Sequence, residues 1–117
     1  MRLELPWPPS VNRYWRSVAG RVLLSRQGRA YRAAVIALAG QEVAPEGRLA
    51  CSIEAWPPDR RRRDLDNLPK AVIDALQHAG VMRDDELIDD LRIVRRSPVA
   101  GGRLVIELAP ALPAGMR

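Results

Sequence analysis

Residues 48–80 pass from a strand pattern through a proline break into a helix pattern, which limits the folds open to this chain. In the first part, polar and apolar positions alternate, and this predicts a central β-strand over Arg48–Trp56. The residues predicted to point inward are Leu49, Cys51, Ile53 and Ala55. Two prolines follow, and residues 67–79 then carry an apolar stripe at helical spacing that ends at Gly80. The segment therefore predicts a strand followed by an amphipathic helix.

The remaining patterns add more strands and a second long helix. The further strands predicted by alternation are residues 2–5, 21–24, 90–96 and 103–108. A helix is predicted from Arg26 to about Val43, with Ser25 as its N-cap. Its expected apolar stripe is Tyr31, Ala34, Val35 and Leu38. Together these elements predict an α+β fold with a small, mostly antiparallel or mixed sheet and two main helices. One domain is expected over residues 1–109, followed by a loosely ordered tail over residues 110–117.

The charge of the chain indicates a polyanionic partner. Its 117 residues carry a formal net charge of +5, and the sequence pI is about 10.6. Nucleic acid is the first candidate partner, and an acidic membrane surface is the second. No apolar run approaches the roughly 20 residues of a membrane span, and the N-terminus lacks the apolar core of a signal peptide. The single cysteine, Cys51, is expected to be a buried small hydrophobe in a reducing cytoplasm.

The residues between the central strand and the following helix carry groups suited to phosphodiester hydrolysis. Four consecutive arginines run into two aspartates, and an amide and a lysine follow: Arg60, Arg61, Arg62, Arg63, Asp64, Asp66, Asn67 and Lys70. Arginines bind phosphate, and carboxylates bind Mg²⁺. If the chain is extended at Asp64 and Asp66, both carboxylates project to one side. Asp85, in the loop after the helix, could complete a three-carboxylate site for one or two Mg²⁺ ions.

Lys70 is the only lysine of the chain, and two interpretations of it are open. It could orient the attacking water or stabilise charge at the phosphorus or on the leaving group. It could also form an ordinary surface ion pair with Asp66 or Asp74, four residues away on either side. Ile73 is an apolar residue on the polar face of the same helix, where it could serve a dimer interface or contact an opened base step.

Each part of this pattern also has an ordinary structural explanation. An Asp-x-Asp sequence before a helix is often a cap, and a run of arginines is often simply solvated. The aromatics Trp7, Tyr14 and Trp15, interleaved with Asn12 and Arg13, could stack on bases and hold phosphates, or they could close the edge of a small core. The combination of arginines with an acidic cluster favours substrate binding, because that arrangement serves binding better than stability.

Several of these motifs together resemble the RusA family of Holliday-junction resolvases. The matching motifs are residues 5–15 (LPWPPSVNRYW), residues 58–70 (PDRRRRDLDNLPK), Asp74-Ala75-Leu76, and Gly80 with Asp84-Asp85. The similarity covers nearly the whole chain. One departure is Leu87, where family members often carry glutamine two residues after the acidic pair.

The resemblance implies a RusA-like homodimer with Mg²⁺ as cofactor that nicks four-way DNA junctions symmetrically in recombination and repair. By motif position, the catalytic, metal-binding aspartates fall on Asp64, Asp66 and Asp85, and the essential lysine falls on Lys70. The residues expected to contact DNA are Asn12, Arg13, Arg60, Arg61, Arg62, Arg63 and Asn67. Such a protein would act in the cytoplasm on the nucleoid, encoded by a bacterium, phage or prophage, without membrane contact. The alternatives are a non-catalytic DNA-binding protein and a nuclease for another branched nucleic acid.

Overall fold

The computed structural model describes residues 1–113 and residue 115. A four-stranded mixed sheet shares one core with two long helices, and a two-stranded hairpin lies beside them. The elements in chain order are β1 (Arg2–Leu5), α1 (Val11–Tyr14), β2 (Trp15–Val18), β3 (Arg21–Leu24), α2 (Arg26–Ala39), β4 (Leu49–Trp56), α3 (Leu68–His78), β5 (Ile88–Arg95) and β6 (Arg103–Pro110). Single 3-10 turns cover Leu65–Asn67 and Asp85–Leu87. The predicted α+β class is confirmed.

The strand predicted to be central, β4, lies inside the sheet, whose order is β1-β6-β4-β5. Its four predicted inward residues are all buried. β4 pairs antiparallel with β6 and parallel with β5. The parallel pairing follows from the connection, because α3 carries the chain back along the sheet before β5 begins. Strand β4 therefore ends at the same edge of the sheet as β5.

Helix α3 covers Leu68–His78, close to the predicted range of residues 67–79, and it ends before Gly80 as predicted. Gly80 follows it with φ of 81°, a left-handed conformation that glycine adopts without strain. Pro69 stands in the first turn, where the missing N–H costs no helical bond. Ala71 and Pro69 join the predicted stripe in the core. Ile73, which was predicted to lie on the polar face, is half-buried and packs against that core.

Helix α2 differs from its predicted form at its C-terminal end. It stops at Ala39, and Ala44 instead donates its N–H to the carbonyl of Val81, 2.8 Å away. The face that packs inward consists of Gly28, Tyr31, Val35 and Ala39. The prediction that Leu38 is buried was wrong, because it lies about 100° around the helix from Ala39 and is 59% exposed. The predicted cap is confirmed, since Ser25 Oγ accepts the Gly28 N–H at 2.9 Å.

Strand β2 was not expected from the sequence. It pairs with β3 across a two-residue turn at Ala19 and Gly20, which have φ of 50° and 76°. Positive φ at both turn positions suits the twist of a hairpin. An Ala-Gly turn lacks the Asn or Asp that marks such hairpins in a sequence, which explains why the pattern was missed.

The last two strands are longer than predicted and are not partners. β5 begins at Ile88 and β6 continues to Pro110, so one residue of the predicted tail is in the sheet. The predicted turn near 98–102 is present, with the Gly102 N–H bonded to the Val99 carbonyl at 2.8 Å. It does not form a hairpin, because β4 lies between the two strands. Of the predicted loose tail, Ala114, Met116 and Arg117 lie outside the described residues. No helix in the described part of the chain is long and apolar enough to cross a membrane.

Candidate active site

The arginine run forms an ordered loop beyond the end of β4. Asp59 holds it from the N-terminal side: its Oδ1 accepts the Arg61 N–H at 2.9 Å and the Arg63 Nη1 at 2.6 Å. The hydrogen bond from Arg63, followed by that from Arg61, lowers the pKa of Asp59 to about 2. On the other side, Arg95 at the end of β5 donates to the Arg63 carbonyl. The sequence did not reveal Asp59 as the group that orders this loop.

A cavity of about 660 Å³ separates this loop from the N-terminal segment. Its apolar lining residues include Trp7, Pro8, Pro9, Pro57 and Leu65. Most of its charged lining residues are cationic, and the predicted DNA-contacting residues that line this cationic cavity are Arg13, Arg60, Arg61, Arg62, Arg63 and Asn67. The guanidinium of Arg63 lies 5.7 Å from the centre of the Trp7 ring. Asn12 is exposed on α1 and is not among the lining residues.

The first two predicted metal ligands stand at the start of α3 but do not share a strand face. Asp64 lines the cationic cavity and has extended dihedral angles, φ −89° and ψ 128°. Asp66 belongs to the 3-10 turn Leu65–Asn67. The alternation of side chains along a strand therefore does not extend from Asp64 to Asp66. The extended chain at both aspartates, on which the predicted alignment of the two carboxylates depended, is not present at Asp66.

The second acidic segment lies against the far end of α3. Gln77 Oε1 accepts the Asp85 N–H at 3.2 Å. Asp84 caps the turn Asp85–Leu87, accepting the Glu86 N–H at 3.0 Å, and this backbone hydrogen bond lowers the pKa of Asp84. The two neighbouring aspartates therefore have different surroundings. The metal-binding role of Asp85 stays a prediction.

Arg48 at the start of β4 fixes the same turn from the opposite side. Its Nη1 lies 3.0 Å from both carboxylate oxygens of Glu86, and its Nε lies 2.9 Å from Asp89 Oδ1. Neither Arg48 nor Gln77 was identified as a site residue from the sequence. Gln77 could have been identified from the sequence, because it lies seven residues after Lys70 and therefore on the same polar face of the helix.

A second, shallower cleft of about 470 Å³ runs along the polar face of α3. Its charged and polar lining residues are Lys70, Asp74, Gln77 and Asp85. Within the described residues, Lys70 forms no ion pair with Asp66 or Asp74, so the interpretation of Lys70 as an ordinary surface pair is not supported. Asp74 is instead paired with Arg32 of α2. The lysine and Asp85 therefore share one cleft, while Asp64 lines the other.

The donors that a metal ion would use are hard carboxylate oxygens, whose chemistry suits Mg²⁺. Their spacing is less favourable: within residues 1–113 and 115, no three His, Cys, Asp or Glu side chains are grouped closely enough to hold an ion. The expected convergence of Asp64, Asp66 and Asp85 is thus not formed in this structure. Their metal-binding and catalytic roles stay predictions.

Comparison with known proteins gives the same family over nearly the whole chain. Residues 6–109 match the family model described as Endodeoxyribonuclease RusA. The chain is 43% identical over 107 residues, 89% of each chain, to a crossover junction endodeoxyribonuclease of Enterobacteria phage HK97. It is 45% identical over 109 residues, 91% of each chain, to proteins of the same name from Escherichia coli strains K12 and E24377A. Every residue of the predicted site lies within the matched span.

Proposed function

The chain belongs to the RusA family of endodeoxyribonucleases, and we propose that it resolves four-way DNA junctions by paired symmetrical nicks. The proposal is carried by one observation: the cationic cavity brings the arginine loop and Asp64 into a single concave surface. A DNA strand crossing this surface would have its phosphates held by guanidinium groups directly beside a carboxylate. The names of the bacterial and phage relatives support the choice of junction DNA as the substrate.

We assign separate roles to the two clefts. In the larger one, Arg60 and Arg62 hold the phosphate backbone, because neither forms an ion pair among the described residues. In the smaller one, Lys70 places its ammonium where negative charge develops on the phosphoryl oxygens. The loop of Asp59, Arg61 and Arg63 shapes the larger cleft, since both arginine side chains pair with the Asp59 carboxylate.

Mg²⁺ is the proposed cofactor, held by Asp64, Asp66 and Asp85. When bound, it would supply charge neutralisation and an activated water for the attack on phosphorus. The residues of the chain do the positioning: Gln77 and Arg48 hold the turn of Asp85, and the 3-10 turn Leu65–Asn67 holds Asp66.

We further propose that the active form is a homodimer in the bacterial cytoplasm, acting on the nucleoid. One chain offers one acidic site, whereas symmetrical resolution requires two opposed nicks. A two-fold dimer presents two sites related by the same symmetry as the junction. Sedimentation of the free protein and of its junction complex would measure the subunit number, and one chain per resolved junction would contradict the dimer.

The test of function is cleavage of a synthetic four-way junction with a label on each strand in turn. With Mg²⁺, nicks are expected at symmetrical positions in two opposed strands. Asp66→Asn should abolish the nicks and keep junction binding in a mobility-shift assay. Equal cleavage of flap or linear DNA would indicate a different nuclease. Tight, salt-sensitive binding without cleavage would indicate a DNA-binding protein.

A further inference from the structure

Lys70 and Asp74 lie four residues apart on α3, and both line the smaller cleft. On an isolated helix, opposite charges at this spacing attract and form a surface pair. Such a pair would direct the lysine towards its neighbour and away from a DNA phosphate. The structure shows a different partner for Asp74.

Arg32 of α2 binds both oxygens of the Asp74 carboxylate. Its Nε lies 3.0 Å from Oδ2, and its Nη2 lies 3.2 Å from Oδ1. The hydroxyl of Tyr14 donates to the same Oδ2, and the Arg32 Nε lies 3.2 Å from that hydroxyl. Burial and the bond to Asp74 raise the pKa of Tyr14 above its usual value, so the hydroxyl keeps the proton it donates.

This arrangement competes well with Lys70 for the carboxylate. A planar guanidinium makes two parallel bonds to a carboxylate, whereas an ammonium acts as a mobile point charge. The side chains of Arg32 and Asp74 are only 23% and 30% exposed, which reduces their screening by water. Tyr14 is fully buried and anchors the group to α1. Asp74 therefore has a fixed partner on a different helix.

We propose that Arg32 is a positioning residue that keeps the Lys70 ammonium available to the DNA phosphate by holding the Asp74 carboxylate away from it. The inference rests on the proposed role of Lys70 in junction cleavage. Without Arg32, the cation nearest in sequence on the same helix face is Lys70. A freed Asp74 carboxylate would then pair with Lys70 and reduce the stabilisation of charge at the phosphate.

The kinetic test compares Arg32→Gln with the double variant Arg32→Gln/Asp74→Asn in single-turnover cleavage of a junction. Arg32→Gln should slow cleavage roughly fivefold. This loss is larger than that expected from breaking an exposed ion pair and smaller than that expected from breaking a buried one. The double variant should recover most of the lost rate, because no carboxylate is left to capture the lysine. If the Arg32–Asp74 pair served only to join two helices, the second substitution would recover nothing.

The chain offers a readout that does not depend on cleavage, since Lys70 is its only lysine. An N-hydroxysuccinimide ester at fixed pH acylates the neutral amine, and mass spectrometry compares Lys70 with the N-terminal amine in the same sample. Arg32→Gln should slow acylation of Lys70, because a nearby carboxylate stabilises its protonated form. The double variant should restore the wild-type rate. A protein that was merely loosened would be acylated faster.

Two further variants serve as controls. Arg26→Gln removes the same charge from an exposed position on α2 and should change neither rate. Arg32→Lys keeps the charge beside Asp74 and should retain more activity than Arg32→Gln. This charge-conserving variant keeps the test usable if Arg32→Gln fails to fold. Unchanged acylation and cleavage in folded Arg32→Gln, or a double variant no faster than the single one, would overturn the inference. If the wild-type protein cleaves no junction, the proposed function fails, and acylation still decides the pairing of Lys70.

Discussion

At the scale of single residues, the adjacent Asp84 and Asp85 have different local roles. Asp84 accepts a backbone N–H and caps a turn, whereas Asp85 has its own N–H bonded to Gln77 and lines the cleft of Lys70. The sequence indicated the acidic pair, and the family motif indicated its second member. The capping of Asp84 was not predictable, because it depends on the 3-10 turn that follows.

The different roles of these two aspartates can be tested by the same conservative change at each position. Asp85→Asn should lower junction cleavage by at least about 100-fold, since an amide is a poor substitute for a metal-binding carboxylate. Asp84→Asn should stay within about threefold of wild type, because asparagine caps a turn as well as aspartate does. Cleavage rates and mobility-shift affinities measured in parallel would check this. Equal losses in both variants would contradict the assignment.

Cys51 was predicted to be a buried small hydrophobe, and the structure confirms its burial. Burial raises the pKa of its thiol from 9.0 to about 11. The unfolded thiol therefore ionises at a lower pH than the folded one, and stability should fall as the pH rises from about 9 to about 11. Urea denaturation across this range should show a smaller fall for Cys51→Val. An equal fall in both proteins would exclude Cys51 as a cause.

At the scale of elements, the start of α2 depends on one side chain. Ser25 Oγ accepts the Gly28 N–H and also donates to the carbonyl of Tyr14, 2.9 Å away. Ser25→Ala should therefore lower the free energy of unfolding by about 1–2 kcal/mol. Ser17→Ala, on the exposed face of β2, should change it by less than about 0.5 kcal/mol. Urea unfolding of both variants would measure the difference, and similar values would argue against the cap.

The elements that the sequence predicted well are those with a strong period and clear ends. β4 has clean alternation before two prolines, and α3 has a wide apolar stripe before Gly80. The pairing of strands was less predictable, because β5 and β6 are neighbours in sequence but are separated by β4. Most charged residues of the site were identified from their chemistry. Their partners Asp59, Arg48 and Arg32 were not identified from the sequence. Arg48 and Arg32 contact residues more than 40 positions away, and such contacts leave no local pattern in the sequence.

At the scale of the whole molecule, the net charge of +5 favours DNA binding, and the larger cavity contains two arginines, Arg60 and Arg62, that form no ion pair among the described residues. Replacing both by glutamine should flatten the dependence of log binding constant on log salt by about 1–2 units, since each lost phosphate contact contributes about 0.9. The matched control replaces Arg2 and Arg21, which are exposed and do not line that cavity. Equal slopes for both double variants would place the DNA elsewhere.

Helix α3 lies between the two turns that carry the acidic residues, Leu65–Asn67 and Asp85–Leu87. Adding or removing a single residue within it would rotate one end against the other by about 100° and shift it by about 1.5 Å. Lys70 and Asp85 would then no longer share a cleft. Evolutionary insertions and deletions should consequently be rare between Asp64 and Asp85, and they should accumulate instead at the hairpin tip of Ala19 and Gly20.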